Sequence, residues 1–193
     1  MYKKVLILAC IIAVTAYITG KAHAEEHKPE GNGLASDNQS HKYIGVSKCK
    51  MCHASEAKGN QYKIWAASKH AQAYADLSSD AAKKTAEKVG LKTDPQKSAE
   101  CLKCHETAFG LNDGLKEAAF NIADGVQCES CHGAGADYKG LSVMKDKQQA
   151  IAAGLVIPTK ETCVKCHNSE SPNYKDFNYE KSFSEIAHPA PKK

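Results

Sequence analysis

Four times the chain spells Cys-x-x-Cys-His: Cys49, Cys52 and His53 in CKMCH, Cys101, Cys104 and His105 in CLKCH, Cys128, Cys131 and His132 in CESCH, and Cys163, Cys166 and His167 in CVKCH. Two thiols one helical turn apart can form thioethers with the two vinyl groups of a haem, and the adjoining imidazole then lies under the iron as an axial ligand. The pattern predicts four covalently attached c-type haems. Zinc ribbons also use Cys-x-x-Cys pairs, but tetrahedral zinc needs no His directly after each second Cys, and here all four pairs carry one. Eight of the nine cysteines belong to the motifs and the ninth, Cys10, lies in a leader segment, so no thiol is left for a structural bridge.

Four irons offer eight axial positions, of which the motif histidines fill four. Beyond the leader the other histidines are His27, His41, His70 and His188. A lone His on an apolar helix face is ordinarily a satisfied core residue. The demand for sixth ligands is what makes His70, and His188 in Ile186-Ala187-His188-Pro189, metal candidates. His27 and His41 fall in or beside a polar lead-in and read as solvent-exposed. Methionine also ligates haem and raises its potential, which brings in Met144 and Met51. Met51 sits inside the first motif, badly placed to reach its own iron. By this count one iron lacks a sixth protein ligand, and an open iron is where chemistry beyond electron relay could occur.

The elements that must position these groups are mainly helical. Over residues 56–77 the pattern has helical period, with Ala66, His70, Ala73 and Leu77 on one face and Tyr62 and Trp65 beside it. Residues 80–89 read as a second helix, N-capped by Ser79 or Ser78 and stopped by Gly90, and residues 147–153 as a short third, ended by Gly154. No alternating strand pattern of useful length occurs, and glycines break the middle of the chain into loops. The fold expected is mainly α, short helices and long loops around four stacked haems, with the macrocycles forming most of the core. The short interval between the second and third motifs suggests that those two haems are neighbours.

Residues 1–24 have the form of a secretory signal peptide: Lys3 and Lys4, an apolar run over residues 5–18, and Ala22-His23-Ala24 as the cleavage site. The run is too short for a transmembrane helix, so no spanning segment is expected after cleavage. Residues 25–42 read as a flexible N-terminal segment and residues 43–193 as one tetrahaem domain. Cleavage removes Lys3, Lys4 and Lys21 and no acid, lowering the formal charge from +4 to +1. Haem propionates would make the holoprotein acidic, which argues against nucleic-acid binding. The chain contains no arginine, so propionates must be met by Lys, backbone amides or water.

These residues resemble the c-554-type multihaem cytochromes of the cytochrome c-554 and c-prime family. The similarity runs from about Tyr43 to the C-terminus. It rests on Tyr43-Ile44-Gly45 leading into CKMCH, on Trp65-Ala66-Ala67-Ser68-Lys69-His70-Ala71, on Gly125-Val126-Gln127 before CESCHGAG, and on Ile186-Ala187-His188. The resemblance implies closely stacked haems, three with two axial ligands and the second, at His105, five-coordinate. By position His70 and His188 resemble distal ligands of the third and fourth haems, in an order that stays open. The family's remaining distal ligand is a His shortly after the third motif. Here residues 136–145 hold no His, so Met144 is the nearest substitute for the first haem, opposite His53, with His41 as its rival.

The function expected is an exported electron carrier, periplasmic or extracellular, working between donor and acceptor proteins of a respiratory chain. The alternatives are a small reductase of nitric oxide or a related nitrogen oxide at the open haem, and an oligomeric haem wire in which a neighbouring subunit donates a distal His. Lysines 48, 50, 63 and 69 form a candidate docking surface for an acidic partner, although an ordinary solvated helix face would look the same.

Overall fold

A computed structural model describes residues 41–190; the leader, most of the lead-in and the last three residues lie outside the described residues. Among those described the chain forms ten α-helices of four to nine residues, short 3-10 turns and no strand. The helices are α1 (Val46–His53), α2 (Gln61–Ala66), α3 (Lys69–Asp76), α4 (Asp80–Lys88), α5 (Ala99–His105), α6 (Cys128–His132), α7 (Leu141–Met144), α8 (Lys147–Ala152), α9 (Lys160–Val164) and α10 (Tyr179–Ile186).

Two of the three predicted helices occur nearly as expected. Before α4, the Ser79 hydroxyl accepts from the Ala82 N–H at 3.2 Å, a cap worth about 1 kcal/mol, and Gly90 ends the helix at φ 77°. The Asp146 carboxylate caps α8 at the N–H groups of Gln148 and Gln149. The helical run over residues 56–77 is instead broken into a 3-10 turn (Glu56–Lys58), α2 and α3. Gly59 and Asn60 adopt left-handed backbone, and Ser68 is extended at ψ 161°. The predicted face survives the break before α3, where Ala73 and Leu77 are buried, whereas the 3-10 turn buries nothing.

The breaks make a corner that grips the segment before the third motif. From α2 the Trp65 indole donates to the Val126 carbonyl at 2.8 Å, and from α3 the His70 carbonyl accepts the Val126 N–H at 3.0 Å. Gly125, at φ 67°, lies so close that a Cβ there would stand 2.7 Å from the His70 oxygen. Only glycine combines that backbone with that approach. Gly45 is under the same constraint, at φ 81°, where a Cβ would meet the Ala119 oxygen at 2.7 Å.

Polar groups tie the centre together. The buried Glu129 carboxylate in α6 accepts from the N–H groups of Ile44 (2.9 Å), Gly45 (2.8 Å) and Gly135 (2.7 Å). Burial pushes this carboxyl above its ordinary range, and the three N–H bonds only partly offset that. Beside it Gln127 accepts from the Val46 N–H and donates to the Asn121 carbonyl. Thr107 donates to the Gly125 carbonyl and shares a hydrogen bond with Ser130. The largest fully buried side chains are Ile44, Gln127 and Thr107, two of them polar. Polypeptide packing alone therefore gives a thin apolar core, as expected if bound macrocycles complete it.

Candidate functional site

Each Cys-x-x-Cys-His unit sits on a helical turn, with thiols three residues apart on one face and the imidazole at the helix end. Helices α1, α5 and α6 each end on their motif histidine, His53, His105 and His132. The fourth unit begins in α9, and the bonds from Cys166 N–H and His167 N–H to the Cys163 carbonyl carry the turn through to its His. None of the eight motif cysteines is paired in a disulfide.

Three of the four imidazoles face an acceptor through Nδ1. His105 directs Nδ1 at the Ala73 carbonyl (2.6 Å), and His132 directs Nδ1 at the Val156 carbonyl (3.1 Å). A carbonyl can only accept, so Nδ1 carries the proton and Nε2 keeps its lone pair. His53 Nδ1 faces Gln61 Oε1 at 3.3 Å, and the Gln61 amide is oriented by its own donations to the carbonyls of Lys58 and Pro189. His167 stacks on Phe177, centroids 4.8 Å apart and planes 16° from parallel. A metal-ligating His usually donates its other ring N–H to such an acceptor, which fixes tautomer and orientation.

Two distal candidates meet motif histidines. The rings of His70 and His167 are 6.0 Å apart, and those of His132 and His188 are 5.7 Å apart, centroid to centroid. A metal about 2 Å from a nitrogen of each ring would set two imidazoles roughly 6 Å apart. The residues therefore fit an iron at each of these two places. Burial lowers the pKa of all four rings, keeping them in the neutral form that ligates. Among the described residues no second imidazole is in ring contact with His53 or His105. Met144 ends α7, which packs on α8, and no hydrogen bond joins its thioether to His53. His41 is half-buried, its Nδ1 bonded to the Asp137 carboxylate, five residues past the third motif's His132.

Thiol neighbours show how the motifs lie against one another. Cys49 lies beside Cys128, and this neighbour pushes the first thiol up and the second down. Cys104 is likewise pulled down to about 7 by Cys166, whose own thiol is pushed up. Burial raises Cys131 to about 11, with the nearby Cys163 adding to the shift. The first motif adjoins the third, where the N–H groups of Ile44, Gly45 and Val46 meet Glu129 and Gln127, and the second adjoins the fourth, where Lys103 pairs with Glu170 at 2.7 Å. The close sequence interval between the second and third motifs brings Thr107, two residues past His105, onto Ser130 inside the third motif at 2.7 Å.

Gln61, Ala73 and Phe177, which hold the imidazoles, were not singled out by the sequence. Gln61 lay inside the predicted helical run, but only its contacts reveal its part. A backbone carbonyl such as that of Ala73 leaves no sequence signal at all.

Helical turns that each offer two thiols and an imidazole, joined by paired distal histidines, are the architecture of a c-type cytochrome. The Cytochrome c554 and c-prime family profile matches residues 48–133. A "Cytochrome c-554" of Nitrosomonas europaea is 29% identical over 185 residues, covering 92% of this chain and 71% of that protein. No solved structure matches the chain significantly. The chain is thus similar to the cytochrome c554 and c-prime family over its central part and, more distantly, to the Nitrosomonas protein over most of its length. That similarity implies c-type haem as cofactor and haem-based electron transfer as its use.

Proposed function

We propose that the chain is an exported tetrahaem electron carrier that passes electrons singly between a donor and an acceptor protein. The observation that carries this reading is the two imidazole pairs at metal-spanning separation, each joining one motif His to a histidine far away in sequence. Haem at the four motifs supplies reversible one-electron chemistry. Cys49 and Cys52, Cys101 and Cys104, Cys128 and Cys131, and Cys163 and Cys166 hold the macrocycles, and His53, His105, His132 and His167 are the proximal ligands. His188 serves the third iron opposite His132, and His70 serves the fourth opposite His167. Met144 is the distal ligand of the first, with His41 as its rival. Residues 1–24 direct export to the periplasm or beyond, where they are removed.

No helix among the described residues is long and apolar enough to cross a membrane. The protein's own contribution is to orient imidazoles through Gln61, Ala73, Val156 and Phe177, and to keep motifs one and three, and two and four, adjacent. The intact mass of the mature protein, with haem counted by its pyridine adduct, tests the assignment. Four haems per chain are expected, and a mass equal to the bare polypeptide overturns it.

One observation favours a second reading. His105 is anchored by Ala73 and meets no second imidazole among the described residues, leaving a position at which nitric oxide or a related nitrogen oxide could be reduced. Electron paramagnetic resonance of the oxidised protein separates the two: four low-spin centres leave only relay, whereas one high-spin centre keeps reduction open.

A further inference from the structure

We infer that the first motif is the protein's electron port, and that it fits a redox protein presenting an acidic surface. This rests on the electron-carrier reading above. Of the eight motif cysteines Cys52 alone is exposed, so the attachment edge of the first motif faces solvent while the other seven are partly covered. Next to it Met51 is 77% exposed, the most exposed large apolar side chain among the described residues. Around them Lys48, Lys50, Lys58, Lys63 and Lys69 are all exposed. Lys50 lies over the Tyr62 ring at 4.9 Å, which places α1 lysines beside those of α2.

The charge is asymmetric. Residues 46–69 carry these five lysines against one acid, Glu56, itself engaged by Lys63 at 3.7 Å. The other described residues carry fifteen lysines and seventeen carboxylates. An apolar centre ringed by one sign of charge is the anatomy of a transient docking site: the charges steer encounter and orientation, and the apolar contact excludes water. Electron transfer weakens steeply with distance, so an acidic partner guided here meets the most accessible attachment edge.

The test uses the holoprotein on gold electrodes coated with carboxylate-terminated or amine-terminated monolayers, at low ionic strength. Adsorbed mass is read on a quartz microbalance and the interfacial electron-exchange rate by voltammetry. The port variant is Lys48→Glu with Lys58→Glu and Lys63→Glu. The control, Lys83→Glu with Lys84→Glu and Lys88→Glu on α4, changes net charge equally. On the carboxylate layer the port variant should lose about ten-fold or more in exchange rate, and adsorbed mass with it, while the control stays within about two-fold of the parent. The corresponding Lys→Ala triple serves if the Glu variant fails to incorporate haem. Equal losses in both triples, or faster exchange of the parent on amine, overturn the port. If the parent cannot be cycled in solution by dithionite and a neutral oxidant, the carrier reading falls instead.

Discussion

The rings of His132 and His188 lie 5.7 Å apart, one at the end of the third motif's helix and the other just past α10. The approach is built from both sides. His132 is oriented by the Val156 carbonyl, while the chain beyond His188 is drawn in by the Gln61 amide, which donates to Pro189 at 2.8 Å. His188→Ala should convert one low-spin centre of the oxidised holoprotein to high spin and leave the others unchanged. Added imidazole should restore the low-spin signal. Paramagnetic resonance reads both changes, and an unaltered spectrum would remove His188 from the ligand set.

His70 and His167 define a separate pair, held by α3 on one side and Phe177 stacking on the other. His70→Ala should likewise produce one high-spin centre, and the double variant with His188→Ala should produce two, because the pairs share no imidazole. Non-additive spectra would mean that one iron uses both histidines.

Acid should attack both pairs late. Burial lowers His70, His132, His167 and His188 below the ordinary value of 6.5. Between that value and the lower folded one, the unfolded chain binds protons that the native state does not, so stability rises with pH in that window. The contribution of these rings is complete above 6.5 and is lost as pH falls through the folded values. A visible-absorbance titration of the holoprotein should stay low-spin through 6.5 and change only at lower pH.

Which parts of this were legible in sequence follows from what makes a signal. The thiol–imidazole turns were plain because the chemistry dictates five adjacent positions, and His70 stood out because iron needs a second ligand. The pairing of His70 with His167 and His188 with His132 was not legible, since it depends on how α3 and the chain after α10 return to distant motifs. Helices α4 and α8 announced themselves through Ser79, Asp146 and the glycines that follow them. The break between α2 and α3 did not, because Ser68 has no glycine or proline beside it and makes no side-chain cap bond to α3. The short stretch joining the second and third motifs folds into turns around Thr107 and Gly125 and sets Thr107 on Ser130 of the third motif, whereas the approach of the first motif to the third left no signal in interval length.

Glu129 is the residue whose loss should cost most outside the ligand set. Its two carboxylate oxygens satisfy three backbone N–H groups, from Ile44, Gly45 and Gly135, none of which has another use for its donor. Glu129→Ala strands all three in the interior and should destabilise the holoprotein by about 3 kcal/mol or more. Glu129→Gln keeps one oxygen but turns an amide NH2 toward a backbone donor, for a loss of about 1–3 kcal/mol. Guanidinium unfolding followed by tryptophan fluorescence, with Trp65 as reporter, measures both, and a Gln variant as unstable as the Ala variant would show that charge matters more than donor count.

The first motif poses the sharpest choice of ligand. Met144 lies beyond the third motif, where the family resemblance implies a distal histidine, and a thioether there should raise the potential of the first haem above those with two imidazoles. His41 has the opposite credential: its Nδ1 is bonded to Asp137, which leaves Nε2 with the lone pair a metal needs. The two ligands differ in observables. With Met144 in place, the oxidised protein should show a sulfur-to-iron charge-transfer band in the near infrared, abolished by Met144→Ala and untouched by His41→Ala. If His41 is the ligand, that band is missing from the parent, and Asp137→Asn, by weakening the hydrogen bond at Nδ1, should raise the potential of the first haem while His41→Ala opens the iron. A parent spectrum without the band would retire Met144.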